Sequence, residues 1–267
     1  MVVGMDELIG VIDTYAPREL EEEWDNSGWQ INLRQNDVKK ILVALEITDK
    51  IIDEAIGLEV DFILTHHPLI FGALNVIDNK SVTGNYIIRL VKSNISVYST
   101  HTNFDATLGG INDDLAQRIG LNKISQLQAY KPNGEQADVM GRLGEYETEK
   151  TLGQICEIIK DALQIKRKLP IVGDPNAKIK KVALCGGAGA DAIGGLLDGQ
   201  CDLFVTGDVK YHEAQLAKEG GLNLINAGHY ATEKFFAENM TKKLRSQLGH
   251  KIEIIQSNID VEPFELL

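Results

Sequence analysis

The sequence predicts an α/β fold made of two related α/β lobes, with a metal site in the cleft between them. Short apolar strands alternate with helices along the 267 residues, which is typical of layered folds with largely parallel strands. Blocks of sequence recur at a spacing of 141 residues. Five of the six histidines follow or lie beside predicted strands, where α/β folds gather their ligands.

The first predicted elements alternate regularly between helix and strand. Apolar residues at helical spacing indicate helices, and short apolar runs indicate buried strands. In chain order we predict helix 6–15, strand 40–47, helix 49–58, strand 61–65, helix 86–91, strand 95–100 and helix 112–119.

The second half of the chain continues the alternation. In chain order we predict strand 139–146, helix 148–163, strand 180–185, helix 191–197, strand 203–206, helix 210–217, strand 222–226, helix 231–248 and strand 252–255. The helix prediction for 148–163 depends on Leu152, Ile155, Ile159 and Leu163, which recur at helical spacing.

An internal repeat predicts the domain organisation. Residues 38–41 match 179–182, and residues 61–65 match 202–206, both at an offset of 141. A third block, His-x-x-x-acid, occurs in the same order in both halves. We therefore predict a first lobe over 1–128 and a second over 129–267, packed as one domain; the alternative is chance similarity between generic strands.

Composition and charge restrict the class of function. The hydrophobic fraction is 43%, the charged fraction 25% and the formal net charge −12. A net-acidic surface repels phosphate backbones and argues against a nucleic-acid partner. No apolar run approaches the roughly 18 residues of a membrane span, and the three cysteines form no CxxC pair. We expect a cytoplasmic protein with no membrane association.

Adjacent histidines at the end of a predicted strand are the strongest local signal. Neighbouring side chains of an extended segment point to opposite sides, and Pro68 favours an extended His67. His66 and His67 can therefore each bind one of two ions. The alternative is that they are simply polar residues at a strand end.

The two His-x-x-x-acid blocks supply the carboxylates. His229 and Glu233 are four residues apart where a strand gives way to a helix, so both side chains can reach one site. His101 and Asp105 form the corresponding block. We expect Asp105 to be a ligand and His101 to be a proton shuttle or a partner of a ligand. Surface or capping pairs are the alternative.

Together the predicted ligands are three histidines and two carboxylates. This set suits two borderline divalent cations such as Zn, Mn, Fe or Ni, as in a two-metal hydrolase. His101 and His212 are the predicted catalytic groups, moving protons. His212 follows Asp208 and Lys210 after a predicted strand, and a plain polar loop is the alternative there.

Two further motifs remain open in function. The glycine-rich segment 186–189 can either bring backbone N–H groups to an anion or form a tight turn without a ligand. The hexapeptide 24–29 contains both tryptophans, and Asp25 and Asn26 favour a turn there.

These motifs in this order resemble the Nif-three-like dinuclear metal-centre family, whose members are often called GTP cyclohydrolase 1 type 2 homologs. The resemblance covers nearly the whole chain and rests on segments 24–28, 65–68, 101–105, 206–212 and 228–233. It implies metal ligands at His66, His67, Asp105, His229 and Glu233, with Glu233 serving both ions. It also implies a two-lobed subunit in a homohexamer, in the compact form without an inserted domain.

Two classes of function follow. The leading expectation is a metal-dependent hydrolase that acts on a nucleotide or a related cyclic or phosphorylated small molecule, as a GTP cyclohydrolase or a phosphoesterase. The alternative is a non-enzymatic metal-binding or scaffold protein that forms a hexameric ring. An open coordination sphere favours catalysis, and a closed one favours a structural metal.

Overall fold

The computed structural model describes residues 1–33, 37–130 and 136–265. These residues form two compact units. Unit 1 comprises Met1–Thr107 and Phe235–Glu265, and unit 2 comprises Leu108–Lys234. The predicted lobe boundary after residue 128 therefore falls within unit 2, and the chain returns to unit 1 at residue 235.

The helices and strands follow in chain order. The first are β1 (Val3–Gly4), α1 (Met5–Tyr15), β2 (Gly28–Ile31), β3 (Asp37–Val38), β4 (Lys40–Ala44), α2 (Asp49–Gly57), β5 (Phe62–Thr65), α3 (Val82–Lys92), β6 (Ser96–Ser99) and α4 (Thr102–Ala106). Unit 2 contains α5 (Ile111–Arg118), β7 (Asn122–Tyr130), β8 (Gln136–Thr151), α6 (Leu152–Ala162), β9 (Ile171–Val172), β10 (Lys178–Leu184), β11 (Leu203–Thr206), α7 (Tyr211–Glu219), β12 (Asn223–Asn226) and α8 (His229–Glu233). The chain ends with α9 (Phe236–Leu248) and β13 (Glu253–Gln256), and two 3₁₀ helices cover Arg18–Leu20 and Gly189–Leu196.

Unit 1 is built on a five-stranded sheet in the order β13-β4-β5-β6-β2. The first four strands are parallel, and β2 pairs antiparallel with β6 at the edge. Helices α2 and α3 pack against one face of this sheet through Ile51, Ile52 and Leu90. Side-chain caps start both helices: Thr48 accepts the N–H of Ile51, and Ser81 that of Gly84.

Unit 2 is built on a six-stranded sheet in the order β7-β8-β10-β11-β12-β9. Its three central strands, β10 to β12, are parallel, whereas β7, β8 and β9 pair antiparallel. Phe204 of β11 packs with Ile193 and Leu196 of the second 3₁₀ helix. Both units thus have a mixed α/β architecture with a parallel centre, and the predicted fold class is confirmed at that level.

An aspartate that precedes a parallel strand makes equivalent hydrogen bonds in each unit. In unit 1, Asp61 Oδ2 accepts the backbone N–H groups of Lys39 at 2.7 Å and Lys40 at 3.0 Å. In unit 2, Asp202 Oδ2 accepts those of Lys180 and Lys181, both at 2.8 Å. These six residues lie in the blocks of sequence that recur at a spacing of 141. The recurring residues therefore have the same local role in each unit.

Three predicted elements differ from the structure. Residues 148–151 continue β8 instead of starting a helix, because Lys150 and Thr151 pair with β10. Residues 231–248 form two helices, α8 and α9, with a break at the point where the chain passes between units. In place of the predicted helix 191–197 there is a 3₁₀ helix over Gly189–Leu196, which contains Gly194 and Gly195, and glycine disfavours a regular α-helix.

Within the residues that the structure describes, no helix combines the length and the apolar character needed to cross a membrane.

Candidate functional site

The histidines of unit 1 lie at the carboxyl ends of β5 and β6. The backbone N–H groups of His66 and His67 both donate to the Leu45 carbonyl at 3.0 Å. The Thr100 N–H donates to the Thr65 carbonyl at 2.9 Å and carries the chain into His101. Three histidines from two adjacent strands thus meet at one edge of the sheet.

His66, His67 and His101 form a group that can hold a metal ion. Their candidate ligand atoms lie within 4.8 Å of one another. The ring centroids are 5.1 Å apart for His66 and His67, 5.3 Å for His66 and His101, and 5.8 Å for His67 and His101. The sequence predicted all three residues for the site but assigned only His66 and His67 as ligands.

His66 is buried, and its ring is held from two sides. Its Nδ1 lies 2.8 Å from the Thr100 carbonyl oxygen. Because a carbonyl only accepts, Nδ1 donates the hydrogen bond between them. The ring also packs on Phe236 of α9, with centroids 5.1 Å apart. Through this contact, helix α9 of unit 1 helps to position the His66 ring.

Asp105 lies on the Nε2 side of the His66 ring. The distance from His66 Nε2 to Asp105 Oδ1 is 3.6 Å, and the Asp105 side chain is 13% exposed. Asp105 lies on α4, and its N–H donates to the His101 carbonyl at 3.1 Å. The segment 102–106 is helical, although no helix was predicted there, so the His101-x-x-x-Asp105 block has the helical spacing of its counterpart in unit 2.

His67 and His101 are each oriented by a carboxylate. His67 Nδ1 lies 3.2 Å from Glu46 Oε2, and His101 Nδ1 lies 2.7 Å from Asp25 Oδ1. An ionised carboxylate only accepts, so both histidines donate from Nδ1. Neither carboxylate was predicted to act in the site. Glu46 lies two residues after the end of the buried strand β4, a position that could have drawn attention to it.

Asp25 lies in a polar network inside unit 1. Its side chain is 0% exposed. Burial by itself raises the pKa of Asp25, yet hydrogen bonds from His101, Thr102 and the Asn26 backbone outweigh burial and hold the pKa far below its usual range. The hexapeptide 24–29 is therefore more than a turn, since it supplies an ionised carboxylate to His101.

The counterpart in unit 2 contains His229 and Glu233 on α8. His229 Nε2 lies 3.0 Å from Glu233 Oε2, and the Glu233 side chain is 4% exposed. His229 Nδ1 lies 2.6 Å from Asp208 Oδ2. The backbone of Asp208 is left-handed, with φ of 47°, a conformation that Asp tolerates better than most residues. As in unit 1, the imidazole is held through Nδ1 by an acceptor.

The glycine-rich segment 186–189 forms a turn around Glu233. The N–H groups of Gly186, Gly187 and Gly189 donate to Asn112, Thr232 and Thr206, respectively. These bonds support the interpretation as a tight turn over that as an anion site. A Cβ on Gly187, whose φ is +60°, would lie 2.1 Å from Glu233 Oε1. Glycine is therefore required for the carboxylate to lie against the backbone.

His212 has a different environment. It lies in the first turn of α7 and is exposed, with its ring in edge contact with Tyr211 at 5.6 Å between centroids. Among the described residues, the candidate metal-binding groups do not include it. Its predicted catalytic role stays a prediction.

The ligand sets of both units fit a divalent metal. Histidines that bind metals generally donate their other ring N–H to a carboxylate or a backbone carbonyl. His66, His67, His101 and His229 all do so through Nδ1. A carboxylate then lies near Nε2 of His66 and of His229. Nitrogen and oxygen donors of this kind suit zinc, manganese, iron or nickel.

The chain is similar to known proteins over nearly its whole length. The sequence profile of the Duf34/NIF3 family (NGG1p interacting factor 3) matches residues 3–263. A Clostridium perfringens protein named GTP cyclohydrolase 1 type 2 homolog is 36% identical over 263 residues, covering 98% of this chain and 99% of that protein. A protein of the same name from Clostridium acetobutylicum is 34% identical over 268 residues, covering 99% of each chain.

A solved structure extends the likeness to the fold. The crystal structure of a Bacillus cereus protein related to NIF3 has a TM-score of 0.89 at 25% identity, covering 100% of this chain and 99% of that one. Because the family profile spans nearly the whole sequence and the relatives match over their full length, this chain belongs to the Duf34/NIF3 family.

Proposed function

We propose that this protein is a metal-dependent hydrolase with two divalent ions per chain. The proposed ligands are His66, His67 and Asp105 of unit 1 together with His229 and Glu233 of unit 2. One observation carries the proposal: each of these histidines is oriented at Nδ1 by an acceptor of its own unit, as metal-binding histidines generally are.

The two units contribute different ligand chemistry. Unit 1 offers two histidines and one carboxylate, and unit 2 offers one histidine and the nearly buried Glu233. Five ligands for two ions leave coordination positions open, which favours catalysis over a structural role. Bound divalent ions would supply Lewis acidity and acidify water near neutral pH.

The remaining residues have supporting roles in this proposal. His101 moves protons, because its ring adjoins both His66 and His67 and its side chain retains 15% exposure. Glu46 and Asp208 orient the ligands His67 and His229. His212 is proposed as a second proton carrier on sequence grounds alone.

The proposed substrate is a nucleotide or a related cyclic or phosphorylated small molecule. The name of the Clostridium relatives supports a nucleotide, and the recurring blocks support an origin from two copies of one lobe. A homohexameric assembly in the cytoplasm is proposed from the family resemblance. If the chain binds metal but never turns over a substrate, the alternative function as a non-enzymatic scaffold is favoured.

Metal analysis and turnover test the proposal together. We expect about two ions per chain in protein purified without chelator, and fewer in His66→Ala. Formate release from GTP indicates cyclohydrolase activity, and phosphate release from a nucleotide panel indicates a phosphoesterase. Glu233→Gln is expected to abolish turnover, whereas the exposed Glu238→Gln serves as the matched control and keeps it.

Two results would contradict the proposal. A chain that takes up no metal even after reconstitution cannot work in this way. A metal-loaded chain that releases neither product across the panel, or equal activity in Glu233→Gln and Glu238→Gln, would favour the scaffold function.

A further inference from the structure

The side chain of Asp25 accepts hydrogen bonds at both of its oxygens. Oδ1 receives His101 Nδ1 and the Asn26 N–H, both at 2.7 Å. Oδ2 receives the Thr102 hydroxyl at 2.6 Å, the Thr102 N–H at 3.1 Å and the Ser27 hydroxyl at 2.9 Å. A buried carboxylate with this many donors has one orientation, so its Oδ1 faces His101 in a fixed geometry.

Asp25 also holds the backbone from which His101 projects. The His101 N–H donates to Ser27 Oγ at 3.1 Å, and the N–H of the next residue, Thr102, donates to Asp25 itself. Residues 25 and 27 thus bind both the ring and the main chain of a residue more than 70 positions later in the sequence. The ring of His101 is therefore oriented from one side by a single short segment.

The donor pattern fixes which nitrogen of His101 is protonated. The ionised Asp25 only accepts, so Nδ1 must carry the proton that lies between them. Nε2 is then the unprotonated nitrogen, on the side of the ring away from Asp25. A carboxylate that selects the imidazole tautomer in this way prepares the other nitrogen to take up a proton.

We propose that Asp25 is a positioning residue that holds His101 in the Nδ1-protonated tautomer, with Nε2 available for proton transfer. The inference deepens the proposed function and rests on it for the role of His101. The alternative is that Asp25 only closes the loop 24–29 over the core. The positioning role predicts that a substitution of Asp25 changes the tautomer of His101 in a protein that still folds. The loop-closing role predicts no such change.

The variant Asp25→Asn separates them. Its amide oxygen is expected at the Oδ2 position, where Thr102 donates twice. The amide NH₂ then replaces Oδ1, so the Asn26 N–H loses its acceptor and His101 Nδ1 must become an acceptor. The proton of His101 therefore moves to Nε2, and the nitrogen proposed for proton transfer is lost.

Nitrogen NMR of histidine-labelled full-length protein with added zinc measures the tautomer directly. The His101 signals are assigned with His101→Gln, and alkaline buffer keeps the imidazole neutral. We expect protonated Nδ1 in the natural protein and protonated Nε2 in Asp25→Asn. Asp13→Asn, at a partly buried aspartate that accepts from Tyr98, is the matched control and leaves the His101 signals unchanged.

Activity provides the second readout. For the active protein we expect Asp25→Asn to lower kcat about 10- to 100-fold, with little change in KM or in metal content. A loss confined to metal content or to folding would mean a structural role. If Asp25→Asn does not fold, the natural protein alone decides, since protonated Nε2 there overturns the proposal.

The outcomes also separate this proposal from the proposed function. Protonated Nδ1 in both the natural protein and Asp25→Asn overturns the positioning role, whatever the activity. The expected change of tautomer in a protein that never turns over a substrate keeps the positioning role and rejects the hydrolase.

Discussion

At the scale of single residues, the site depends on groups that hold the ligands as much as on the ligands. Each candidate metal-binding histidine donates from Nδ1 to a neighbour, and the neighbour differs in kind: a backbone carbonyl for His66, Glu46 for His67 and Asp208 for His229. These partners fix the ring orientation before any metal binds. Removing a partner of this kind generally lowers metal affinity or activity by about 10- to 100-fold.

Gly187 shows how a residue without a side chain can act in the same way. The substitution Gly187→Ala puts a Cβ 2.1 Å from Glu233 Oε1, so the carboxylate must move. We expect the affinity for zinc to fall by at least about tenfold. A competition titration with a chromogenic chelator measures this change.

The matched control is Gly199→Ala. Gly199 shares a positive φ, +84°, but a Cβ there meets nothing within 4 Å. Both variants should lose about 1 kcal/mol of stability from the left-handed backbone, and only Gly187→Ala should lose zinc affinity. Equal zinc affinity in the two variants would show that Glu233 does not depend on Gly187.

At the scale of elements, Asp61 and Asp202 make equivalent hydrogen bonds in the parallel parts of the two sheets. Each lies directly before a strand and accepts two backbone N–H groups at or beside the neighbouring strand. Because these bonds go to a charged acceptor, we expect Asp61→Ala and Asp202→Ala each to lower the free energy of unfolding by about 1.5 to 3 kcal/mol. Urea denaturation measures both changes.

Asp191→Ala, at an exposed aspartate of the second 3₁₀ helix, is the control and should change stability by less than about 0.5 kcal/mol. A large loss at Asp61 with none at Asp202 would mean that the repeated bonds stabilise only one of the two units.

The elements that the sequence predicted well are the buried parallel strands. Continuous apolar runs mark β4, β5 and β11, because both faces of these strands are covered. The antiparallel strands β2 and β7 were not predicted, since their sequences mix polar and apolar residues without a long apolar run.

The site was predictable to a similar degree. Candidate ligand types and their spacing are local in sequence, so His66, His67 and the His-x-x-x-acid blocks could be proposed as candidates. The pairing of Asp25 with His101 spans 76 residues and exists only in the folded chain. The sequence therefore indicated the hexapeptide 24–29 as unusual without showing its role.

At the scale of the whole molecule, the chain order of the two units has a consequence for the site. Unit 1 takes its last helix and strand from the end of the chain, and Phe236 of that helix packs against His66. The segment 229–236 thus carries the proposed ligands of unit 2 and a packing residue of unit 1 within one short stretch. Changes there are expected to affect the ligand sets of both units.

Metal binding should therefore stabilise the whole chain through ligands of either unit. Zinc at a hundredfold excess over its Kd adds about 2.7 kcal/mol to the stability, which raises Tm by several degrees in a protein of this size. If the five proposed ligands act as one centre, Asp105→Asn of unit 1 and His229→Gln of unit 2 should each remove most of this increase. Differential scanning fluorimetry with and without zinc measures the shift, with His250→Gln, at an exposed histidine, as the control that keeps it. Half of the increase surviving in each variant would instead mean that the two units bind metal independently.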